Sequence, residues 1–98
     1  MTASAGEIWL ADRGDETRRL VFIVSDERFH RLAERAVVAP VLDVGPASPR
    51  PWHIPLNEGT IAVNQLATMP VDRLLERVER AGLETLRRVR HAVGQITN

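Results

Sequence analysis

Arg18 and Arg19 open a short apolar run, Leu20-Val21-Phe22-Ile23-Val24, which ends at Ser25. A guanidinium is a planar fork of donors with a delocalised positive charge, so an arginine fixed at a strand's mouth is a natural phosphate ligand. It can also stabilise charge that builds up as a phosphate bond breaks. The preceding turn, Arg13-Gly14-Asp15-Glu16-Thr17, adds carboxylates and a hydroxyl. A carboxylate there, Glu16, is placed to act as a base. The same residues also suit a solvated hairpin turn with surface ion pairs of little energetic worth.

Trp52-His53 follows a proline-rich loop. An exposed aromatic at that point would stack on an unpaired base, with His53 beside it; the alternative is that Trp52 covers one end of a barrel. His30, His53 and His91 have no metal-ligand spacing, and the chain has no cysteine to assist. Each suits a surface or internally satisfied histidine. No glycine pattern for a nucleotide and no serine triad is legible; Ser25 reads as a helix cap.

The elements that must position these groups follow from periodicity. Glu7 to Asp12 alternates as a strand, with Ile8 and Leu10 on one face and Glu7, Trp9 and Ala11 on the other. Leu20 to Val24 is continuously β-branched or aromatic, which marks a central strand buried on both faces. Ser25 caps a short helix reaching Ala33, and Ala36 to Leu42 is a third strand. Pro40 lacks a ladder donor, so that strand is expected at an edge or with a bulge. Three prolines and a glycine make Val44 to Pro51 a loop.

Trp52 to Leu56 and Thr60 to Val63 read as short strands joined by the Asn57-Glu58-Gly59 turn, and Gln65 to Met69 continues extended toward Pro70. Asp72 to Arg80 suits a helix by spacing, while Leu74, Glu76 and Val78 also alternate as a strand. After Gly82, Leu83, Leu86, Val89, Val93 and Ile96 form one apolar stripe at helical spacing. The arginines off that stripe read as a solvated face. The expected fold is one mainly β domain over residues 6–98 with helical cover, after a loose tail at residues 1–5.

Composition narrows function further. The 98 residues carry a formal net charge of zero, so binding to a polyanion must rest on local charge placement. Every basic residue other than histidine is arginine. The absence of cysteine removes disulfides and thiol chemistry and fits a cytoplasmic location. No apolar stretch has membrane-spanning length, and the N-terminus lacks the pattern of a signal peptide.

Taken in order, Gly6-Glu7-Ile8-Trp9, Arg18-Arg19 with Val21-Phe22-Ile23-Val24-Ser25, Val38-Ala39-Pro40-Val41, Trp52-His53-Ile54-Pro55-Leu56 and Gly59-Thr60-Ile61-Ala62-Val63-Asn64-Gln65-Leu66 resemble the MazF/PemK-type toxins of type II toxin–antitoxin systems. The resemblance implies an SH3-like barrel or strongly bent antiparallel sheet with a C-terminal α-helix, shared with CcdB-type toxins. It implies a homodimer, a cognate antitoxin, and metal-independent, sequence-selective cleavage of single-stranded RNA without a cofactor. Arg19 matches the arginine that binds the scissile phosphate or acts as an acid, and Arg18, Trp52, His53 and Gln65 are the candidate RNA-binding residues.

The chain also departs from the family pattern. Leu42 stands where the family carries a hydroxyl residue, followed by Asp43, and Asn64 replaces an aspartate. Thr17 is then the candidate to supply the missing hydroxyl. Two alternatives accompany these departures: a CcdB-like inhibitor of DNA gyrase without enzymatic activity, and a catalytically inactive member that retains antitoxin binding.

Overall fold

The computed structural model describes residues 2–12, 18–43, 45, 47–57 and 59–97. The strands are β1 (Glu7–Asp12), β2 (Arg18–Ile23), β3 (Arg35–Leu42), β4 (His53–Leu56), β5 (Gly59–Ala62), β6 (Ala67–Pro70) and β7 (Leu74–Arg80). The helices are α1 (Glu27–Ala33) and α2 (Leu83–Thr97), with 3₁₀ turns at Val63–Gln65 and Val71–Arg73. All pairings are antiparallel, in the order β4-β5-β3-β2-β1-β7, and β6 also pairs β3. The sheet is strongly bent and open, with α2 as its helical cover. No helix among the described residues is long and apolar enough to cross a membrane.

The pleat sorts the apolar residues into two cores. Trp9, Ala11, Val21, Ile23, Val38 and Leu74 share one. Ile8, Phe22, Ala39, Ile61, Val89 and Ala92 share the other, beneath α2. β2 feeds both, which is why its sequence is apolar without alternation. Tight burial has a local demand at Gly59, where a Cβ would lie 2.4 Å from the Leu42 carbonyl oxygen.

β3 lies inside the sheet, contrary to the edge position expected from Pro40. The Val24 N–H donates to the Val37 carbonyl at 2.9 Å. Alternation from that bonded pair puts Val21↔Pro40 in a non-hydrogen-bonded pair. The missing donor therefore faces away from β2. On that side β3 changes partner, from β6 over Arg35–Val38 to β5 at Val41 and Leu42. Proline sits where neither neighbour needs its N–H.

Other local expectations shift for equally specific reasons. Asp26, not Ser25, caps α1 and accepts from the Phe29 N–H at 3.0 Å. The Ser25 hydroxyl instead accepts the Val37 N–H at 2.8 Å and meets His30 Nε2 at 2.6 Å. His30 is buried, and its Nδ1 lies 3.0 Å from the Ala3 carbonyl oxygen. A carbonyl only accepts, so Nδ1 carries the proton, and in the neutral ring Nε2 accepts from Ser25. This anchors the segment expected as a loose tail: Ala3 is 6% exposed and joins the first core.

Asp72–Arg80 resolves as strand from Leu74 onward, paired with β1. On α2, Val89 and Ala92 are buried, whereas Leu83, at 73% exposed, lies off the core. The helix rests on β4 and the Val63–Gln65 turn.

Glu7 fastens β7 to β1. Buried at 2% exposure, its carboxylate accepts from the Ser4 N–H at 2.7 Å and Trp9 Nε1 at 3.1 Å. It also accepts from Arg77 at 3.2 Å and Arg80 at 2.9 Å. Burial pushes its pKa upward, but the Ser4, Trp9 and Arg77 hydrogen bonds with the Arg80 charge outweigh this and hold it below the ordinary glutamate value. Its stabilising contribution is therefore full above the unfolded value and is lost as pH falls through the lower folded value. Glu7→Gln should cost about 1 kcal/mol at neutral pH, since both arginines are half-exposed. Chemical denaturation at pH 7 and at progressively lower pH checks this: the gap between variant and wild type should close only in the acid range.

Candidate functional site

The pleat separates the two arginines at the mouth of β2. Arg18 stands across from Asp12 in the β1 pairing, and Arg19 shares a face with Val21 and Ile23. Arg19 projects at the open end of the first core, on the side of the sheet away from α2. A cavity of about 450 Å³ opens there, between β2, β3 and β6. Its floor is apolar, formed by Val21, Val38, Pro40, Ala67 and Met69. Its rim carries Arg19, Arg35 and Arg73 with Gln65 and Thr68, and no carboxylate among the described residues lines it.

Register explains how residues so distant in sequence meet. The 3₁₀ turn at Val63–Gln65 swings the chain from β5 to β6 and brings Gln65 beside β3. The β3–β6 pairing then aligns Arg35 with Pro70, just ahead of the Val71–Arg73 turn. Arg19 and Arg35 make no ion pair with a described carboxylate. The cavity thus brings three arginines to one rim on a chain whose net charge is zero, while Arg35 also borders Glu34 and Asp72 in an adjoining cavity. A groove with a cationic rim and an apolar floor can hold anionic groups at its edges while flat apolar groups cover its base.

Of the residues anticipated from sequence, Arg19 and Gln65 share this cavity. Arg18 does not line it, nor do Trp52 and His53. Trp52 is half-buried and packs against the core beneath α2, covering one end of the sheet. Its ring meets that of His53 edge-on, with centroids 6.1 Å apart. His53 Nδ1 accepts the Arg50 N–H at 2.9 Å, which ties the proline-rich loop to β4. Glu16 and Thr17 lie outside the described residues. Leu42 and Asp43 border a different cavity, of about 320 Å³, with Leu20, Leu56 and Asn57.

Arg35, Thr68 and Arg73 belong to the cavity without having been anticipated. Their local sequence signals only a strand start, an extended stretch and a segment open to two readings. The β3–β6 register is what brings them together, and it could have been sought by testing which extended segment pairs with the first half of β3.

A family profile described as "PemK-like, MazF-like toxin of type II toxin-antitoxin system" matches residues 4–97. Among solved structures, the fold is similar to MazF in a MazE-MazF crystal structure from Deinococcus radiodurans. The TM-score is 0.84 at 17% identity, covering 99% of this chain and 97% of that one. It is also similar to the Mycobacterium tuberculosis toxin MazF-mt6, with a TM-score of 0.77 at 18% identity over 93% and 95% of the two chains. A mycobacterial endoribonuclease in complex with its cognate antitoxin gives a TM-score of 0.73 at 17% identity, over 98% and 93%. Comparison with curated protein sequences gives no significant match.

Proposed function

The chain belongs to the PemK-like, MazF-like toxin family of type II toxin–antitoxin systems, and from that premise we propose that it is an endoribonuclease that cleaves single-stranded RNA in the arginine-rimmed cavity. The observation that carries this reading is the meeting of Arg19, Arg35, Arg73 and Gln65 over one apolar floor with no described carboxylate among them. A phosphodiester backbone fits that rim and unpaired bases fit that floor. Related folds described as an endoribonuclease and as antitoxin complexes support it. By the same reasoning the chain works as a homodimer in the cytoplasm and is neutralised by a cognate antitoxin.

In the proposed reaction the 2′-hydroxyl next to the scissile phosphate attacks phosphorus. The bond to the 5′ oxygen breaks, and the products are a 2′,3′-cyclic phosphate and a 5′-hydroxyl. The 2′-hydroxyl gives up its proton and the leaving 5′ oxygen gains one. Arg19 binds the phosphate and stabilises the added charge as the pentacoordinate transition state forms. Arginine is a poor proton donor, so proton transfer falls to other groups. Glu16 as base and Thr17 as hydroxyl donor, which precede Arg18 and Arg19 in sequence, remain the candidates. Gln65 offers an amide with both donor and acceptor to a base edge.

Incubation of purified protein with single-stranded RNA in the presence of a chelator tests the proposal. Fragments ending in a cyclic phosphate and beginning with a 5′-hydroxyl are expected. Intact RNA together with inhibition of DNA supercoiling would replace this reading with the gyrase-inhibitor alternative.

A further inference from the structure

The floor of the cavity holds a sulfur atom in a chain that has very little sulfur. The sequence contains two methionines, Met1 and Met69, and no cysteine. Met69 lies on β6, paired with Ala36 of β3, and is half-buried. It packs against the first core and also lines the cavity between β2, β3 and β6. A small solute that enters the cavity therefore reaches the thioether. Trp9, the other oxidisable side chain in that core, is only 3% exposed.

Peroxides convert a methionine thioether to a sulfoxide, which is polar and chiral where the thioether was apolar. We propose that Met69 is an oxidative modification site, at which a peroxide forms the sulfoxide and so weakens the groove's hold on RNA. The consequence for RNA rests on the ribonuclease reading. Sulfur attacks one oxygen of hydrogen peroxide, so that an S–O bond forms as the O–O bond breaks. Sulfur gives up two electrons, and the second oxygen leaves as water after taking the proton of the transferred one.

The surroundings decide where the new oxygen points. The first core is apolar, and its one side-chain N–H, on Trp9, already donates to Glu7. A sulfoxide oxygen turned inward would lack a partner, which is costly. It turns outward instead, into a cavity rimmed by the guanidinium donors of Arg19, Arg35 and Arg73. There it puts an acceptor on the surface that an unpaired base would cover, and it competes with phosphate for the donors.

The test treats full-length protein with hydrogen peroxide, removes the oxidant and maps the peptides by mass. The peptide holding Met69 should gain one oxygen atom. Binding of a non-cleavable 2′-O-methyl octanucleotide should then weaken about fivefold to tenfold. Methionine sulfoxide reductases A and B, one for each epimer, should restore it with a dithiol as reductant. The oxygen then leaves as water and the dithiol becomes a disulfide. Met69→Leu has no sulfur at this position, so its treated and untreated samples should bind alike. Met69→Gln carries a polar amide there and should bind weakly without oxidant. Circular dichroism should show that treated wild type is still folded at the assay temperature.

Oxidation confined to Met1 would overturn the site. Oxidised Met69 with unchanged binding, or an equal loss in treated Met69→Leu, would overturn its effect on the groove and leave the ribonuclease reading intact. Unfolding of the treated protein at the assay temperature would make the loss one of stability and overturn the proposal as well. Untreated wild type that binds no RNA would overturn the ribonuclease reading itself, and the consequence drawn from it.

Discussion

Arg19→Ala should lower RNA cleavage by about 10²–10³-fold, the usual loss when one preorganised transition-state donor is removed. The side chain is exposed and pairs with no described carboxylate, so its removal leaves no buried charge behind. Thermal unfolding should therefore stay at the wild-type temperature, which separates lost chemistry from lost structure. Arg19→Lys keeps a positive charge but loses the fork that grips two phosphate oxygens at once. It should recover only part of the rate. Single-turnover cleavage at saturating RNA reads both effects without interference from binding. A wild-type rate in Arg19→Ala would remove Arg19 from the mechanism.

The largest effect on stability is expected at Phe22. Its side chain is fully buried between β1 and β3, in the core that α2 covers. Phe22→Ala should cost about 3–5 kcal/mol, from lost transfer energy and the cavity left behind. For a domain of this size each kcal/mol lowers Tm by roughly 4–8 °C. The variant should therefore melt tens of degrees below wild type, or fail to fold at all. Phe22→Leu retains much of the volume and should cost less. Circular dichroism melts at one fixed protein concentration compare the three chains, since association would otherwise shift the midpoint. The effect reaches function as well. Phe22 shares β2 with Arg19 and Val21, so loosening that strand should reduce activity in proportion to the unfolded fraction.

Much was legible along the chain because the information is local. Side-chain alternation in Glu7–Asp12 assigned its two faces correctly: Trp9 and Ala11 enter one core and Ile8 the other. The unbroken apolar run after Arg19 marked a strand buried on both faces, and β2 does contribute to both cores. Arginine at the end of such a strand must emerge at the rim, because its charge cannot follow Val21 and Phe22 inside. The ordered motifs pointed to the toxin family, and the profile match over residues 4–97 shows it.

Residue types and their spacing determined which segments are apolar on one face, which on two, and where the chain must turn. Pairing between distant strands decided the rest. Proline was placed inside the sheet because β3 changes neighbours exactly at its missing donor. The second strand reading of Asp72–Arg80 prevailed because β1 offered a free edge and Glu7 a buried anchor for Arg77 and Arg80. Arg35 and Arg73 came to share one groove with Arg19 through the β3–β6 register, a contact across more than thirty residues of chain that no local pattern encodes. Alternation tells a side chain which face to take; only the closing of the sheet tells it which other side chains it will meet there.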